Sequence, residues 1–483
     1  MMRMTCFVAV MLAITGQAQA GKEDLKRSVQ SMAEESWSMA RSIWEFAEPG
    51  YLETRSSALI ADRLEKTGFK LARGVAGIPT AFTATYGSGK PVIAILGEYD
   101  ALPELSQEAV PVRQPRTQGN GYGQACGHHL FGVGSMVAAI AVADEIRAGR
   151  LSGTVRYYGC PAEEGGAAKA FMVRAGLFSD VDCALHWHPG SRNSVGDPSC
   201  LARIAVRFRF HGTAAHAAGS PERGRSALDA LLLAIHGVEL MREHTPTGTR
   251  LHHTILSGGG AANVVPEFAE GFFYVRHPQS DVVRELYPRL LKCAQAGALA
   301  TETRLEVVPL GGTLELLPNS VLPGVIRANF KSLNKLRYDD AETRFAVRLR
   351  ESISGKIPPM EDITTVYDNN GGTTMGSTDV GDVSWVVPTA GFSAACWAPG
   401  TPGHSWQAVA CGGTTIGRKG MLLAADILAA SAWDLIKNPA LLEQAKVDFK
   451  RRLGESGYRP LMEKDQKPPL EYRLPARRNS SGE

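Results

Sequence analysis

A cysteine and two histidines, Cys126, His128 and His129, lie within four residues in the stretch QACGHHLFG. Further along come adjacent glutamates, Glu163 and Glu164 in GCPAEEGG, and two histidines one residue apart, His186 and His188 in DCALHWHPG. A Gly/Pro loop, PGTPGHSW, carries His404. Each fragment is ambiguous alone. Cys-x-His could stabilise a buried turn, form a nucleophile–base pair, or bind metal. A Glu-Glu pair is usually a solvated face. A loop histidine is usually only that. Together they supply a soft ligand, three imidazoles and two adjacent carboxylates, a donor set suited to Zn²⁺ or Mn²⁺. Two neighbouring divalent ions would need about this many ligands and would activate a water. One glutamate of an adjacent pair could bind metal while the other takes that water's proton.

These residues need elements to bring them together. Residues 22–70 mix charged and apolar residues at helical spacing. GKPVIAILGEYD (89–100) is a short Val/Ile-rich run bounded by Gly, which predicts a buried strand ending at Glu98 and Asp100. A polar Pro/Gly loop spans 104–124, and an apolar helix spans 130–149. GTVRYYGCPAEEGG (153–166) predicts a strand running into Glu163 and Glu164, and 182–190 a strand ending at His186 and His188. Strands alternating with helices predict a mainly parallel sheet covered on both faces. In such sheets ligands bind beyond the carboxyl ends of the strands, where all three of these strands deliver carboxylates or imidazoles. Cys126 and His128 precede a helix, whose N-terminus favours a thiolate.

The pattern changes after residue 202. IAVRFRFHG (204–212) alternates like a strand with one wet face. A helix at 225–243, strands at 250–257 and 268–276, a helix at 280–300 and a strand at 303–309 complete a β-α-β-β-α-β order. That is the ferredoxin-like plan, expected as an inserted domain over 203–310 between catalytic halves at 21–202 and 311–450. A helix is expected over 420–436, and the charged, Pro-containing tail from 451 to 483 is expected to be loosely held.

The 483-residue chain has a net charge of +3 with no basic block, which argues against a nucleic-acid partner. Arg3, the apolar run from Cys6 to Ile14 and Ala18-Gln19-Ala20 have the layout of a secretory signal over residues 1–20. The mature protein is therefore expected to start near Gly21, to be exported to the periplasm or medium, and to lack a membrane span. Beyond Cys6, seven cysteines without a CxxC motif do not form a disulfide framework.

Seven stretches carry a resemblance that spans nearly all of 30–440. They are KPVIAILGEYDALPELSQ, GYGQACGHHLFG, GTVRYYGCPAEEGGAAKAFMVRAGLF, HGTAAHAAGSPERGRSALDA, NVVPEFAE, STDVGDVSW and GTPGHSWQ. In these the chain resembles the aminoacylase/carboxypeptidase family of di-metal amidohydrolases. The resemblance implies that Cys126 contacts both metals, with His128, Glu164, His188 and His404 as the other ligands and Glu163 as general base. His186 competes with His188 for its place. It also implies that His216 reaches a neighbouring active site to steady the oxyanion, and that Asn263 and Arg276 hold the substrate carboxylate. Arg pairs bidentately with carboxylate and an imidazole can donate to an oxyanion, so the chemistry is consistent.

Two positions depart from the family pattern: His129 stands where Asp or Asn is usual, and Glu98 replaces a common Asp. The expected function is metal-dependent hydrolysis of an N-acyl or N-aroyl amino acid, with a p-aminobenzoyl-glutamate-like substrate favoured. The inserted domain is expected to act as a lid and to pair the chain with itself or a related subunit. Alternatives are hippurate-like or auxin-like conjugates or a dipeptide, a chelator-insensitive cysteine hydrolase built on Cys126, or an exported binding protein without catalysis.

Overall fold

The computed structural model describes residues 21–455 and 457–474. The signal sequence expected over 1–20, and the last residues of the tail, lie outside the described residues.

The larger sheet holds β1 (Lys70–Arg73), β2 (Phe82–Gly87), β3 (Val92–Glu98), β4 (Thr154–Cys160), β5 (Cys183–Gly190) and β6 (Asn193–Val195). The second, smaller sheet follows in the chain with β7 (Ala202–His211), β8 (Arg250–Ser257), β9 (Phe268–His277) and β10 (Arg304–Thr313). The chain then returns to the first sheet with β11 (Val366–Asp368) and β12 (Thr389–Ala395). The order across the large sheet is β1-β2-β4-β3-β5-β12-β6-β11. Its centre, β4-β3-β5-β12, is parallel throughout. The antiparallel β1-β2 flank has no clear signal in the sequence, because KLAR and FTATYG are short and carry little apolar pattern.

Every residue of β3 is buried, as a central strand covered on both faces requires. One cover is the helix His128–Arg147, apolar nearly all round and packed against β3 and the long helix Thr415–Lys437. By length and composition it could cross a bilayer, but its apolar surface is spent inside the core. The chain reaches the C-terminal ends of β3, β4 and β5 in turn, so the functional side chains gather at one edge of the sheet.

The small sheet has the order β10-β7-β9-β8, antiparallel throughout. Helices Ala227–Arg242 and Ser280–Ala300 pack on one face. This is the ferredoxin-like arrangement read from the sequence. Its core is separate from that of the large sheet and centres on Phe208, Phe210, Leu231 and Phe273. β8 is its free edge, and most of its residues are exposed.

The tail differs from expectation. Beyond the helix Pro439–Leu453 it does not hang free. The Tyr458 hydroxyl donates to Asp382 Oδ1 at 2.8 Å, Leu461 joins the core of the small sheet, and Tyr472 is 5% exposed in the core of the large one. Charged and Pro-rich composition reports an absence of regular structure, and three well-placed apolar anchors are enough to dock such a segment.

Candidate metal centre

β3 ends at Glu98 and hands Asp100 to the edge two residues later. β4 ends at Cys160, and a turn through Ala162 presents Glu163 and Glu164. Along β5 the strand period of two puts His186 and His188 on one face and sends Trp187 into the core on the other. Cys126 arrives from the loop before the helix His128–Arg147. Gly127 makes its approach possible: φ there is +75°, and a Cβ would fall 2.7 Å from Pro189 at the end of β5. The helix starts two residues earlier than the sequence predicts, which places His128 in its first turn. His404 comes from the loop after β12.

One candidate ligand cluster groups Glu98, His128 and Glu163, and two more share the Cys126 thiol. Cys126, His128 and His188 form one, and Cys126, Glu164 and His404 the other, with all ligand atoms in each within 4.8 Å of one another. His128 and His188 are pre-oriented. Nδ1 of His128 pairs with Asp100 Oδ1 at 2.8 Å, and Nδ1 of His188 with the Pro189 carbonyl at 2.7 Å. That leaves Nε2 of each ring facing the thiol, in the manner of metal-ligating imidazoles held by an outer partner. Asp100 also accepts from the Glu164 backbone N–H at 2.8 Å, so one carboxylate braces both clusters. His128 Nε2 and Glu164 Oε1 are buried and make no well-aligned hydrogen bond, their nearest polar neighbours being Glu98 Oε2 at 3.1 Å and His404 Nε2 at 3.2 Å. Buried polar atoms with such poor hydrogen-bond geometry are costly, and here they belong to residues of a donor set that fits a pair of divalent ions.

The electrostatics agree. Burial alone would raise the Cys126 thiol, but the His188 and His128 imidazoles outweigh it and bring it down to about 5, so the group is a thiolate at neutral pH. Burial, then the carboxylates of Glu98 and Glu164, push Glu163 well above the usual carboxylate range. A carboxyl raised in this way holds a proton more readily than an ordinary one, as a group that takes and returns a proton must. Burial lowers His186 to about 3, with His188 adding to the effect. His186 lines the cavity, but it belongs to none of these clusters and sits in register with Gly391 of β12. Burial also lowers His129 to about 3; its Nε2 pairs with the Gly412 carbonyl at 3.0 Å, facing the core.

Residues that the sequence did not single out complete the surroundings. Lys169, fully buried, binds Glu98 Oε1 and Asp379 Oδ1, each at 2.6 Å. Glu98 Oε2 lies 3.1 Å from His128 Nε2. The available signals were weak: a lysine in the otherwise apolar stretch AKAFMV, and an aspartate in STDVGDVSW. On the small sheet, Arg203 of β7 stands directly opposite Arg276 of β9, and Arg250 of β8 completes the row. Arg203 and Arg276 both lie over the Tyr274 ring, at 5.2 and 4.7 Å from its centroid.

A cavity of about 730 Å³ opens over the clusters. Glu163, Arg203, Arg276 and Arg473 line it along with Cys126, Glu164, His188 and His404. His216 and Asn263 do not line it. Both are exposed on the small domain and are neighbours there, with the Ala217 N–H donating to the Asn263 carbonyl at 3.0 Å.

Comparison with known proteins adds a family profile, two relatives and two solved structures. A family profile described as a peptidase dimerisation domain matches residues 202–299. The chain is 38% identical over 439 residues to one of the subunits of p-aminobenzoyl-glutamate hydrolase from Escherichia coli K12, covering 86% of this chain and 91% of that one. It is 29% identical over 442 residues to mouse Xaa-Arg dipeptidase, covering 88% and 91%. Among solved structures, an aminobenzoyl-glutamate utilization protein from Klebsiella pneumoniae shares the fold with a TM-score of 0.55 at 19% identity, covering 85% of this chain and 98% of that one. A dinuclear metal-binding M20 peptidase from Bacillus subtilis shares it with a TM-score of 0.52 at 18% identity, covering 84% and 99%.

Proposed function

The chain belongs to the M20 peptidase family of amidohydrolases, and from that premise we propose that it hydrolyses the amide bond of an N-aroyl or N-acyl amino acid, with p-aminobenzoyl-glutamate as the favoured substrate. The observation that carries this is the pair of ligand clusters sharing Cys126, with Glu163 beside them and Arg276 in the same cavity. Zn²⁺ or Mn²⁺ ions held by Cys126, His128, Glu164, His188 and His404 would supply Lewis acidity and a nucleophilic water at neutral pH. Glu163 accepts the water's proton as it attacks the scissile carbonyl, and returns it to the leaving amine nitrogen. Arg276 pairs with the free carboxylate on the amino-acid side and sets the amide in register.

His216 donates to the developing oxyanion from a second protomer. Its Nδ1 already accepts the Ala218 and Gly219 N–H groups at 3.2 and 3.0 Å, which leaves Nε2 for that task. Its exposure, and that of Asn263, supports a site completed across a dimer of this chain or with a related subunit. Exposed Leu232, Leu233, Ile255 and Leu256 on the small domain support the same pairing. Closure of that domain as a lid would exclude water. The signal-like residues 1–20 support export, which N-terminal sequencing of the secreted protein would test.

Purified protein loaded with Zn²⁺ or Mn²⁺ should release p-aminobenzoate from p-aminobenzoyl-glutamate and lose turnover with EDTA. Glu163→Gln should retain the metals and lose turnover by about 10²-fold or more. Chelator-resistant turnover that thiol alkylation abolishes would replace this mechanism with a cysteine nucleophile.

A further inference from the structure

Charge in the cavity is unevenly placed. Arg203 and Arg276 are directly opposed on adjacent antiparallel strands, an arrangement that costs stability unless something negative lies between or above them. Nε of Arg276 is buried without a hydrogen-bond partner. A third guanidinium, Arg473, reaches the same cavity from a remote part of the chain. Its Nε is also buried without a partner. One substrate carboxylate satisfies one guanidinium in a bidentate pair and leaves a second fork open.

The segment that delivers Arg473 is built to hold it there. The Tyr472 ring packs edge-on against Tyr51 at 5.7 Å and fills a slot walled by Gly50 and Gly165. Gly165 has φ +123°, and a Cβ on it would stand 3.2 Å from the Tyr472 ring. The Tyr472 hydroxyl donates to the Glu164 carbonyl at 3.2 Å, and Arg473 Nη2 donates to the same oxygen. Arg207 of β7 donates to the Tyr472 carbonyl, and Arg174 to the carbonyls of Glu463 and Lys464. The strap is thus fixed to the turn that carries Glu163 and Glu164 and to the small sheet that carries Arg276.

We propose that the C-terminal strap makes Arg473 a specificity-determining residue: it forms a second carboxylate subsite, and selects amides whose amino-acid side chain is itself a carboxylate. The assignment rests on the proposed reaction only in placing an amino-acid carboxylate at Arg276. It predicts that glutamate is distinguished from glutamine, which has the same length and no charge.

The test uses full-length, metal-loaded protein carrying Glu163→Gln, so that ligands bind without being consumed. Calorimetric affinities for p-aminobenzoyl-glutamate and p-aminobenzoyl-glutamine give a ratio, expected to favour the glutamate compound by about tenfold or more, as a charge-assisted hydrogen bond implies. Adding Arg473→Gln should bring the ratio close to one, and Arg473→Lys should restore part of it. Tyr472→Ala, which keeps the guanidinium but removes the anchor, should also collapse it. An unaltered ratio in Arg473→Gln, an equal loss for both compounds, no preference at the outset, or no binding of either compound overturns the assignment. Turnover by the protein with Glu163 intact is read separately. If the ratio collapses as expected while that protein cleaves neither compound, the proposed reaction fails and the Arg473 subsite stands.

Discussion

Replacing Lys169 by methionine should cost the fold far more than any surface lysine. The ammonium sits fully buried, 2.6 Å from carboxylates of both Glu98 and Asp379. Burial pulls its pKa down, but Asp379 and Glu98 more than offset this and keep it charged. At an effective dielectric of 20, each contact is worth roughly 6 kcal/mol of gross attraction. Desolvation of the three groups consumes most of that. Methionine fills the stem's volume, so the change creates no large cavity. It does strip the countercharge from Asp379 and from Oε1 of Glu98, and the expected loss is about 3–5 kcal/mol. Urea unfolding of metal-free protein, followed by circular dichroism, reads this without the linkage that bound ions would add. Lys169→Met combined with Asp379→Asn should recover part of the loss, because one stranded charge is gone and the amide oxygen can still accept the backbone N–H of position 169, which now reaches the carboxylate at 2.9 Å. A single variant within 1 kcal/mol of the parent, or a double variant less stable than the single one, would refute the argument.

Three further outcomes are expected. Cys126→Ser should lower the bound metal from both clusters in elemental analysis, since the thiolate is common to them. His188→Gln should also lose metal whereas His186→Gln should retain it, because only His188 faces the thiol, at 3.3 Å. Asp426 is raised to about 7 by burial, with Lys26 pulling it down and Glu23 pushing it up. Its folded pKa exceeds its unfolded value of about 3.9, so its favourable contribution is complete below pH ~4 and is lost as pH rises through 7. Asp426→Asn should therefore gain stability over the parent as pH goes from 5 to 8, on the order of 1 kcal/mol after screening. A gap that stays constant over that range would show that the carboxyl does not titrate there.

The core of the centre was legible because its residues end strands. Apolar runs such as VIAIL mark buried strands, and the residues after them must lie at the sheet edge, so Glu98, Glu163, Glu164, His186 and His188 could be grouped from the sequence alone. The choice between His186 and His188 was not legible, since the strand period puts both on one face and only the position of Cys126 separates them. Alternation in IAVRFRFHG, together with helix lengths, was enough for the order of the small domain. Lys169 escaped notice because a lone lysine in an apolar helix has no local partner, its carboxylates being remote in sequence. The opposed pair Arg203 and Arg276 depends on a strand register that periodicity does not specify. The docking of Tyr472 and Arg473 depends on a slot made by Gly50, Tyr51 and Gly165, which no window of sequence contains.

Tyr472 lies 308 positions after the Glu164 carbonyl to which it donates. The strands, the ligand clusters and the small domain are all built from residues that precede this segment in the chain. The wall of the cavity that holds Arg473 is thus a separate piece, laid against a site whose ligands are supplied elsewhere. Without it the cavity would be open on that side, a vessel without its stopper. Proteolytic trimming or a bulky fusion near residue 470 should leave the protein in that state, with all five metal-ligand residues present and the selectivity gone.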